Sequence, residues 1–462
     1  MQRKWNSLKV IFLLGALAIG TYSCGGSNTP AITQRYTAPA VVGNGAFTNH
    51  MSQVPDSSQY PYPLFQLSHN YPDTFRTLEN PSWQQALKGQ PIGPANAFAY
   101  MDSLKSYVKP HLLPFFTSNH TWSAADHGWF HEPWIGSERE PILGTYLGNG
   151  NVKGMFTSLP ETETGYVLTL YDSLAAYTVG KIWGQTGDSY NLSNNAAQFQ
   201  EGSVIVKLAF SNINYPQWPV MDSAQTFYVY GNVPTKADTA KGYQLRQVSF
   251  FQMDVIVKDS KSSPQTGWVY STFVYDKDHH GTGWDKMVPL GAMWGNDPEV
   301  NSPVTPPYPK LRETVINKNA PLYSKETLGW GGRLSGPNDG AVSLNAADEN
   351  GNIYPRLALS SCMSCHSPAQ NPFTTSMFPG PDYNNPSVTF VPGSPKWKLW
   401  FRNNYGTVPF ESGHIAMDYD MVMAFKSIGG YNNAHPGKEN EKQRAAYEAL
   451  KKFRQYHGQK PQ

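Results

Sequence analysis

Alternating hydrophobic and polar positions fill the middle of the chain. The alternation is clearest in three segments rich in β-branched and aromatic residues: 202–210, 248–259 and 267–276. A period of two places successive side chains on opposite faces of a strand, so that Val204, Val206 and Leu208 share one face. Gly, Pro, Asp and Asn separate these segments. The pattern therefore predicts a β-rich, sandwich-like and mostly antiparallel main domain.

Helical spacing occurs before and after this region. After Asn96, a candidate N-cap, apolar residues recur every three or four positions, which predicts an amphipathic helix within a helical segment over 82–113. A second helix is predicted over 439–457. We expect a mixed fold, with the β-rich main domain over 61–340, including its N-terminal helical segment, followed by a small helical domain over 341–462.

The N-terminus has the pattern of an export signal. Residues 1–23 contain three basic residues, no acid and an apolar run too short to span a bilayer, which is typical of a signal peptide. The small residue before Cys24 indicates a lipoprotein signal, with Cys24 as the lipidated residue. Residues 24–60 are polar and rich in Pro and Gly, which predicts a flexible tether. The expected location is extracytoplasmic, on a bacterial membrane facing the periplasm or in the outer membrane.

Composition and charge exclude several fold classes and partners. Only 15% of the 462 residues are charged, and the chain has 40 Gly and 37 Pro, which argues against a coiled coil or helical bundle. Residues 24–462 contain 33 basic and 34 acidic residues, so the net charge is close to zero. We therefore expect no nucleic-acid partner. Three cysteines are too few for a disulfide framework.

One motif carries recognisable chemistry. Cys362, Cys365 and His366 form a C-x-x-C-H motif, the attachment signature of a c-type haem. Two thiols one helical turn apart can bond both vinyl groups of one porphyrin, while the adjacent imidazole ligates the iron as the proximal ligand. The alternatives are a thioredoxin-type motif, which lacks a βαβ context, and half a zinc site, which lacks further cysteines. The single motif predicts one covalent haem c in a cytochrome c-like C-terminal domain.

The sequence leaves the distal ligand of the iron open. Haem carriers use Met or His at this position. Met417, which follows the loop 406–413, and His131, within the aromatic segment 129–134, are the two leading candidates. An open iron with Arg139, Arg333 or His131 nearby is a further alternative. Three other sulfurs follow the motif: Met377, Met421 and Met423.

Several segments resemble one bacterial family. They are WFHEPW (129–134), SEREPILG (137–144), EGSVIVKLAF (201–210), TGWVYSTFVYD (266–276), WDKMVPLGAMWGNDP (284–298), LGWGGRLSGPND (328–339), SSCMSCHSPAQ (360–370) and MDYDMVMAF (417–425). They are similar to exported proteins grouped as cytochrome c family proteins, which have a single C-terminal haem c motif. The resemblance implies haem binding and electron transfer. His131 matches the family's W-[FY]-H-x-P-W, whereas 417–421 departs from the expected Leu-Asp-Tyr-Ser-Leu.

Three functions are compatible with these features. The first is a lipid-anchored electron carrier with an unidentified redox partner protein. The second is a haem enzyme or small-ligand sensor with an open distal site. The third is a β-sandwich binding module with an appended redox haem. No catalytic residue is predicted, because the common nucleotide-binding, hydrolase and metalloprotease motifs are not found in the sequence.

Overall fold

The computed structural model describes residues 47–381 and 388–435. The predicted signal peptide, Cys24, the first part of the predicted tether and the helix predicted over 439–457 lie outside the described residues.

A large antiparallel sheet dominates the described part of the chain. Its strands follow the order β1-β2-β3-β5-β6-β7-β8, and β4 pairs with β5 outside this path. The strands are β1 (Tyr146–Asn151), β2 (Glu163–Tyr171), β3 (Val204–Ser211), β4 (Thr226–Gly231), β5 (Gln244–Lys258), β6 (Trp268–Tyr275), β7 (Met287–Met293) and β8 (Thr314–Ile316). The predicted β-rich, mostly antiparallel architecture is confirmed, and the three alternating segments correspond to β3, β5 and β6.

Helices are few and mostly short. The described α-helices are α1 (Ser82–Ala86), α2 (Ala97–Thr117), α3 (Ser173–Trp183), α4 (Leu322–Lys325), α5 (Cys362–His366) and α6 (Ile428–Ala434). The amphipathic helix predicted after Asn96 is confirmed as α2. Asn96 does not cap it through its side chain, but accepts a hydrogen bond from the Gly93 N–H at 2.8 Å. None of the described helices is long and apolar enough to cross a membrane.

The two faces of the large sheet pack against different parts of the chain. Val204, Val206 and Leu208 belong to the same apolar core as the buried face of α2, as their shared face predicts. Ile205, between them, points the other way and packs in a second core. This second core also contains Cys362, so the motif helix α5 packs on the sheet face opposite α2.

Residues after 340 add short strands as well as short helices. These are β9 (Val342–Asp348), β10 (Ile353–Ala358), β11 (Gln370–Asn371), β12 (Val388–Thr389), β13 (Ile415–Ala416) and a π-helix (Val422–Ser427) directly before α6. β10, β9 and β12 form a three-stranded sheet, and β11 pairs with β13. The described part of 341–462 is therefore mixed, and not purely helical as the sequence predicts.

The predicted tether ends earlier than residue 60. Phe47 is 3% exposed and packs against the Tyr71 and Trp134 rings. The Met51 N–H donates to the Arg139 carbonyl at 2.9 Å. Residues 47–60 therefore belong to the folded part of the chain. The segment is polar and Pro-rich on average, but its few large apolar side chains are buried, and their burial stabilises the folded position of the segment.

Candidate functional site

The motif helix α5 is fixed at its first residues. The Ser361 hydroxyl accepts the Ser364 N–H at 3.2 Å, and the Ser364 hydroxyl accepts the Ser361 N–H at 2.7 Å, which completes a capping box. The Cys362 N–H donates to the Leu334 carbonyl at 2.9 Å. The helix is short, so these bonds rather than helix propensity determine where the motif side chains lie.

His366 has one ring nitrogen engaged by the backbone. Its Nδ1 lies 2.8 Å from the Tyr419 carbonyl oxygen. Because a carbonyl only accepts, Nδ1 carries the proton, and Nε2 has the lone pair that a metal ion requires. Burial lowers the pKa of His366 to about 4, which keeps the ring neutral. The ring packs edge-on against Tyr270, with 5.2 Å between centroids.

Two adjoining cavities separate the motif from the sheet. The first encloses about 650 Å³, part of it open to solvent, and is lined by both Cys362 and His366. The second has a volume of about 410 Å³, part of it also open to solvent, and is lined by His366 and the segment 418–422. Both share one wall of sheet residues from β2, β3, β5 and β6: Thr169, Lys207, Ile256 and Tyr270.

A charged cluster lies on this sheet wall. Thr169, Lys207 and Asp254 are direct neighbours across β2, β3 and β5. Lys207 Nζ lies 2.7 Å from Asp339 Oδ1 and 3.2 Å from Asp254 Oδ2. Burial alone would lower the pKa of Lys207, but attraction to Asp339 and Asp254 outweighs it and raises the pKa, so the ammonium stays charged.

The carboxylates of this cluster already accept several hydrogen bonds. Asp254 accepts from the Thr272 hydroxyl at 2.7 Å and from the Gln252 amide at 2.9 Å. Asp339 accepts from the same Gln252 amide at 2.9 Å and from Cys362 Sγ at 3.6 Å. The cluster is therefore connected directly to the first cysteine of the motif.

The two leading distal candidates line neither of these cavities. Met417 is fully buried in the second core. His131 is also fully buried, and its Nδ1 accepts the Ser68 N–H at 3.1 Å, which places the ring proton on Nε2 and leaves neither nitrogen available to a metal. Burial lowers the pKa of His131 well below its usual value. Of the other sulfurs, Met421 lines both cavities, whereas Met377 and Met423 line neither.

The two arginines considered for an open site are engaged elsewhere. Arg333 donates to the carbonyls of Asn296 at 2.8 Å and Asp297 at 2.9 Å, and its guanidinium stacks on Trp330. Arg139 donates to the Glu132 carbonyl. Neither lines the two cavities. Both stabilise loops instead.

The donor set fits a covalently attached haem. Cys362 is a free, buried thiol, and His366 presents an unprotonated Nε2 on the same cavity. Cys365, one helical turn further on, is fully buried and lines neither cavity.

Sequence reasoning identified the motif but missed the wall that faces it. Lys207 in β3 and Asp254 in β5 are charged residues within strands of mainly apolar sequence. Their side chains lie on the sheet face opposite Val206 and Leu208. A charged residue at such a position is the signal that marks a polar site on a buried sheet face.

The chain matches no protein-family model, no curated protein and no solved structure.

Proposed function

We propose that this protein is an exported, lipid-anchored mono-haem c-type cytochrome that transfers single electrons. The observation that carries the proposal is the shared cavity of Cys362 and His366, with the His366 proton held away from it by the Tyr419 carbonyl. That arrangement is the one required of a proximal haem ligand. The resemblance to cytochrome c family proteins agrees with it.

The residues of the motif have distinct roles in the proposal. Cys362 and Cys365 form thioethers, which retain the cofactor in a dilute extracytoplasmic compartment. His366 ligates through Nε2, and its hydrogen bond to Tyr419 fixes the ring orientation and increases the basicity of the ligand. When bound, haem iron alternates between the ferric and ferrous states and so takes up or releases one electron.

The surroundings favour electron transfer through a largely buried cofactor. Tyr270, Trp268 and Tyr419 line the cavities and are at most 6% exposed. Aromatic walls exclude water, and exclusion of water is one of the means by which proteins tune a haem potential.

The cytochrome c-like domain is also part of the proposal. We assign 341–462 as the segment that supplies the attachment motif and the proximal ligand. The strands β2, β3, β5 and β6 supply the other wall, because their side chains line the same cavities. The haem site would then be shared between this segment and the large sheet.

Haem staining after denaturing electrophoresis tests the proposal. The chain is produced with its leader in a bacterium that matures c-type cytochromes, and we expect a stained band that Cys362→Ala/Cys365→Ala abolishes. Cys24→Ala is the matched cysteine control and should retain the stain. Voltammetry of the stained protein should give one reversible one-electron wave. A wild-type band that never stains, or a double variant that still stains, contradicts the proposal.

A further inference from the structure

Tyrosine rings lie on the exposed face of the β4–β5 ribbon, the part of the sheet in which β4 pairs with residues 244–249 of β5. Exposure alternates along β4: Phe227 and Val229 are buried, whereas the intervening Tyr228 is 46% exposed. Alternate side chains of a strand point to the same face, so Tyr230 shares the face of Tyr228, about 7 Å further along. The Tyr230 ring stacks on Tyr243, with 5.7 Å between centroids and 27° between planes. The ribbon therefore presents flat rings on one face.

Amide side chains hold the neighbouring part of this face in place. Gln247 is paired with Tyr228 across β4 and β5, and its amide donates to the Thr226 hydroxyl at 3.3 Å. In the loop after β3, the Asn214 amide donates to the Gln247 carbonyl at 2.8 Å. Asn214 is followed by Tyr215, which is 55% exposed. The polar Gln247 therefore lies between Tyr228 and the loop that carries Tyr215.

The outward positions of the β4–β5 ribbon carry no charge. They are occupied by uncharged residues of both strands: Thr226, Tyr228, Tyr230, Leu245 and Gln247. The charged Arg246, between the last two, points to the opposite face and is 3% exposed. An acidic or basic polymer would find no counter-charge at these positions. The face is complementary to a neutral partner rich in hydroxyl groups, because phenols and amides both donate and accept hydrogen bonds.

A protein partner fits this place less well. A peptide that adds to a sheet pairs with the free backbone groups of an edge strand. In β4 the Tyr230 N–H already donates to the buried Glu140 carboxylate at 3.2 Å. A protein that docks on the face would need an apolar centre, whereas Gln247 and Thr226 lie among the rings. The partner therefore contacts ring faces and amides, and not the strand edge.

We propose that the exposed face of the β4–β5 ribbon binds a neutral polysaccharide, with sugar rings stacked on Tyr228 and Tyr215 and sugar hydroxyls bonded to Gln247. One face of a pyranose presents polarised C–H groups, which pack on the electron-rich face of an aromatic ring. Tyrosine suits this role because its rigid ring loses little conformational entropy on binding. The inference goes beyond the proposed function and does not depend on haem.

Affinity electrophoresis of the full chain in mild detergent tests this inference. Each native gel contains one soluble neutral glycan: starch, dextran, hydroxyethyl cellulose or mixed-linkage β-glucan. At least one of them should retard the wild-type protein, whereas the anionic polymers alginate and heparin should not. High salt should leave the retardation unchanged, because salt screens only interactions between charges.

Point substitutions locate the binding face. Tyr228→Ala and Tyr215→Ala should each weaken binding of the retarding glycan about 10-fold, because each removes a stacked ring. Tyr228→Phe keeps the ring, so its affinity should change by less than about threefold. Tyr62 is similarly exposed, at 48%, but stacks on His120 beside the end of α2. Tyr62→Ala is therefore the control and should leave binding unchanged.

Three results would overturn the inference. The first is a wild-type protein that none of the neutral glycans retards. The second is retardation that persists in both Tyr228→Ala and Tyr215→Ala, since the glycan then binds elsewhere. The third is a wild-type dimer that Tyr228→Ala converts to a monomer in sedimentation velocity, which would assign this face to a second copy of the chain. None of these results alters haem staining, so the proposed function is tested separately.

Discussion

Lys258 Nζ lies 2.7 Å from Asp418 Oδ1, and both side chains are almost completely buried. Lys258 ends β5 of the large sheet, whereas Asp418 directly precedes Tyr419, whose carbonyl holds His366. Asp418 and Tyr419 both have positive φ, of 46° and 67°, a costly conformation for residues other than glycine. The ion pair therefore joins the sheet to the segment that orients the imidazole, and it helps hold that segment in its strained form.

Breaking this pair on one side should be strongly destabilising. Lys258→Met leaves the Asp418 carboxylate buried without its cation, so we expect the free energy of unfolding to fall by about 3–5 kcal/mol. The double variant Lys258→Met/Asp418→Asn should recover part of the loss, because no uncompensated charge remains. Urea unfolding followed by tryptophan fluorescence measures both. Lys396 forms an exposed ion pair with Glu349, in which the lysine side chain is 61% exposed. As the control, Lys396→Met should lower the free energy of unfolding by less than about 1 kcal/mol.

The sequence predicted the strands better than it predicted how the C-terminal segment packs. Alternation identified β3, β5 and β6, because each has one face in a continuous apolar core. No local pattern could reveal that Lys258 and Asp418, 160 residues apart, form an ion pair, or that the motif helix lies on the sheet. Such long-range pairings depend on tertiary packing, and a single sequence carries no signal for them.

The proposed lipid anchor gives a second prediction. Cys24→Ala should move the protein from the membrane fraction to the soluble fraction, because the predicted acyl chains are the anchor and no described helix can span a bilayer. Fractionation followed by immunoblotting, with a high-salt wash to remove peripheral proteins, is the measurement. Recovery of the variant in washed membranes would show that Cys24 is not the attachment point.

Met417 and His131 can be tested directly as distal ligands. Neither lines the cavities next to His366, so Met417→Leu and His131→Ala should leave the spectra of both oxidation states unchanged in the haem-loaded protein. Met417→Leu should lower the free energy of unfolding by less than about 1.5 kcal/mol, because it conserves side-chain volume in a buried apolar site. His131→Ala should be more destabilising, since the buried Ser68 N–H loses its acceptor. A spectral change in either variant would assign that residue to the iron.

The motif residues of the candidate site were recognisable because thioether attachment demands a fixed local spacing. The sheet wall that faces the motif was not, because its residues come from the four strands β2, β3, β5 and β6 and meet only after the sheet has formed. Lys207 and Asp254 are 47 positions apart in sequence but are paired across β3 and β5. Met417 and His131, in contrast, satisfied the ligand chemistry but occupy buried positions outside the two cavities.

The buried carboxyl group of Glu163 should make stability depend on pH. Glu163 begins β2, is fully buried and accepts from the Asn151 amide at 2.7 Å. Burial raises its pKa to about 7, from the ordinary 4.5. Between these values the folded state retains a proton that the unfolded state releases, so this group's contribution to stability is complete below about pH 4.5 and is lost as the pH rises toward 7. At most about 1.4 kcal/mol is lost per pH unit.

Glu163→Gln isolates this effect, because it keeps the shape and an acceptor for Asn151 but cannot ionise. Relative to the wild type, the variant should gain about 3 kcal/mol in free energy of unfolding between pH 4.5 and pH 7.5. Urea titrations at half-unit pH intervals measure the difference. For Glu79→Gln, at an exposed position, the free energy of unfolding should change with pH in the same way as that of the wild type over this range. Parallel curves for Glu163→Gln and the wild type would mean that Glu163 is ionised in the folded protein, and that the Asn151 bond and the surrounding strand dipoles offset its burial.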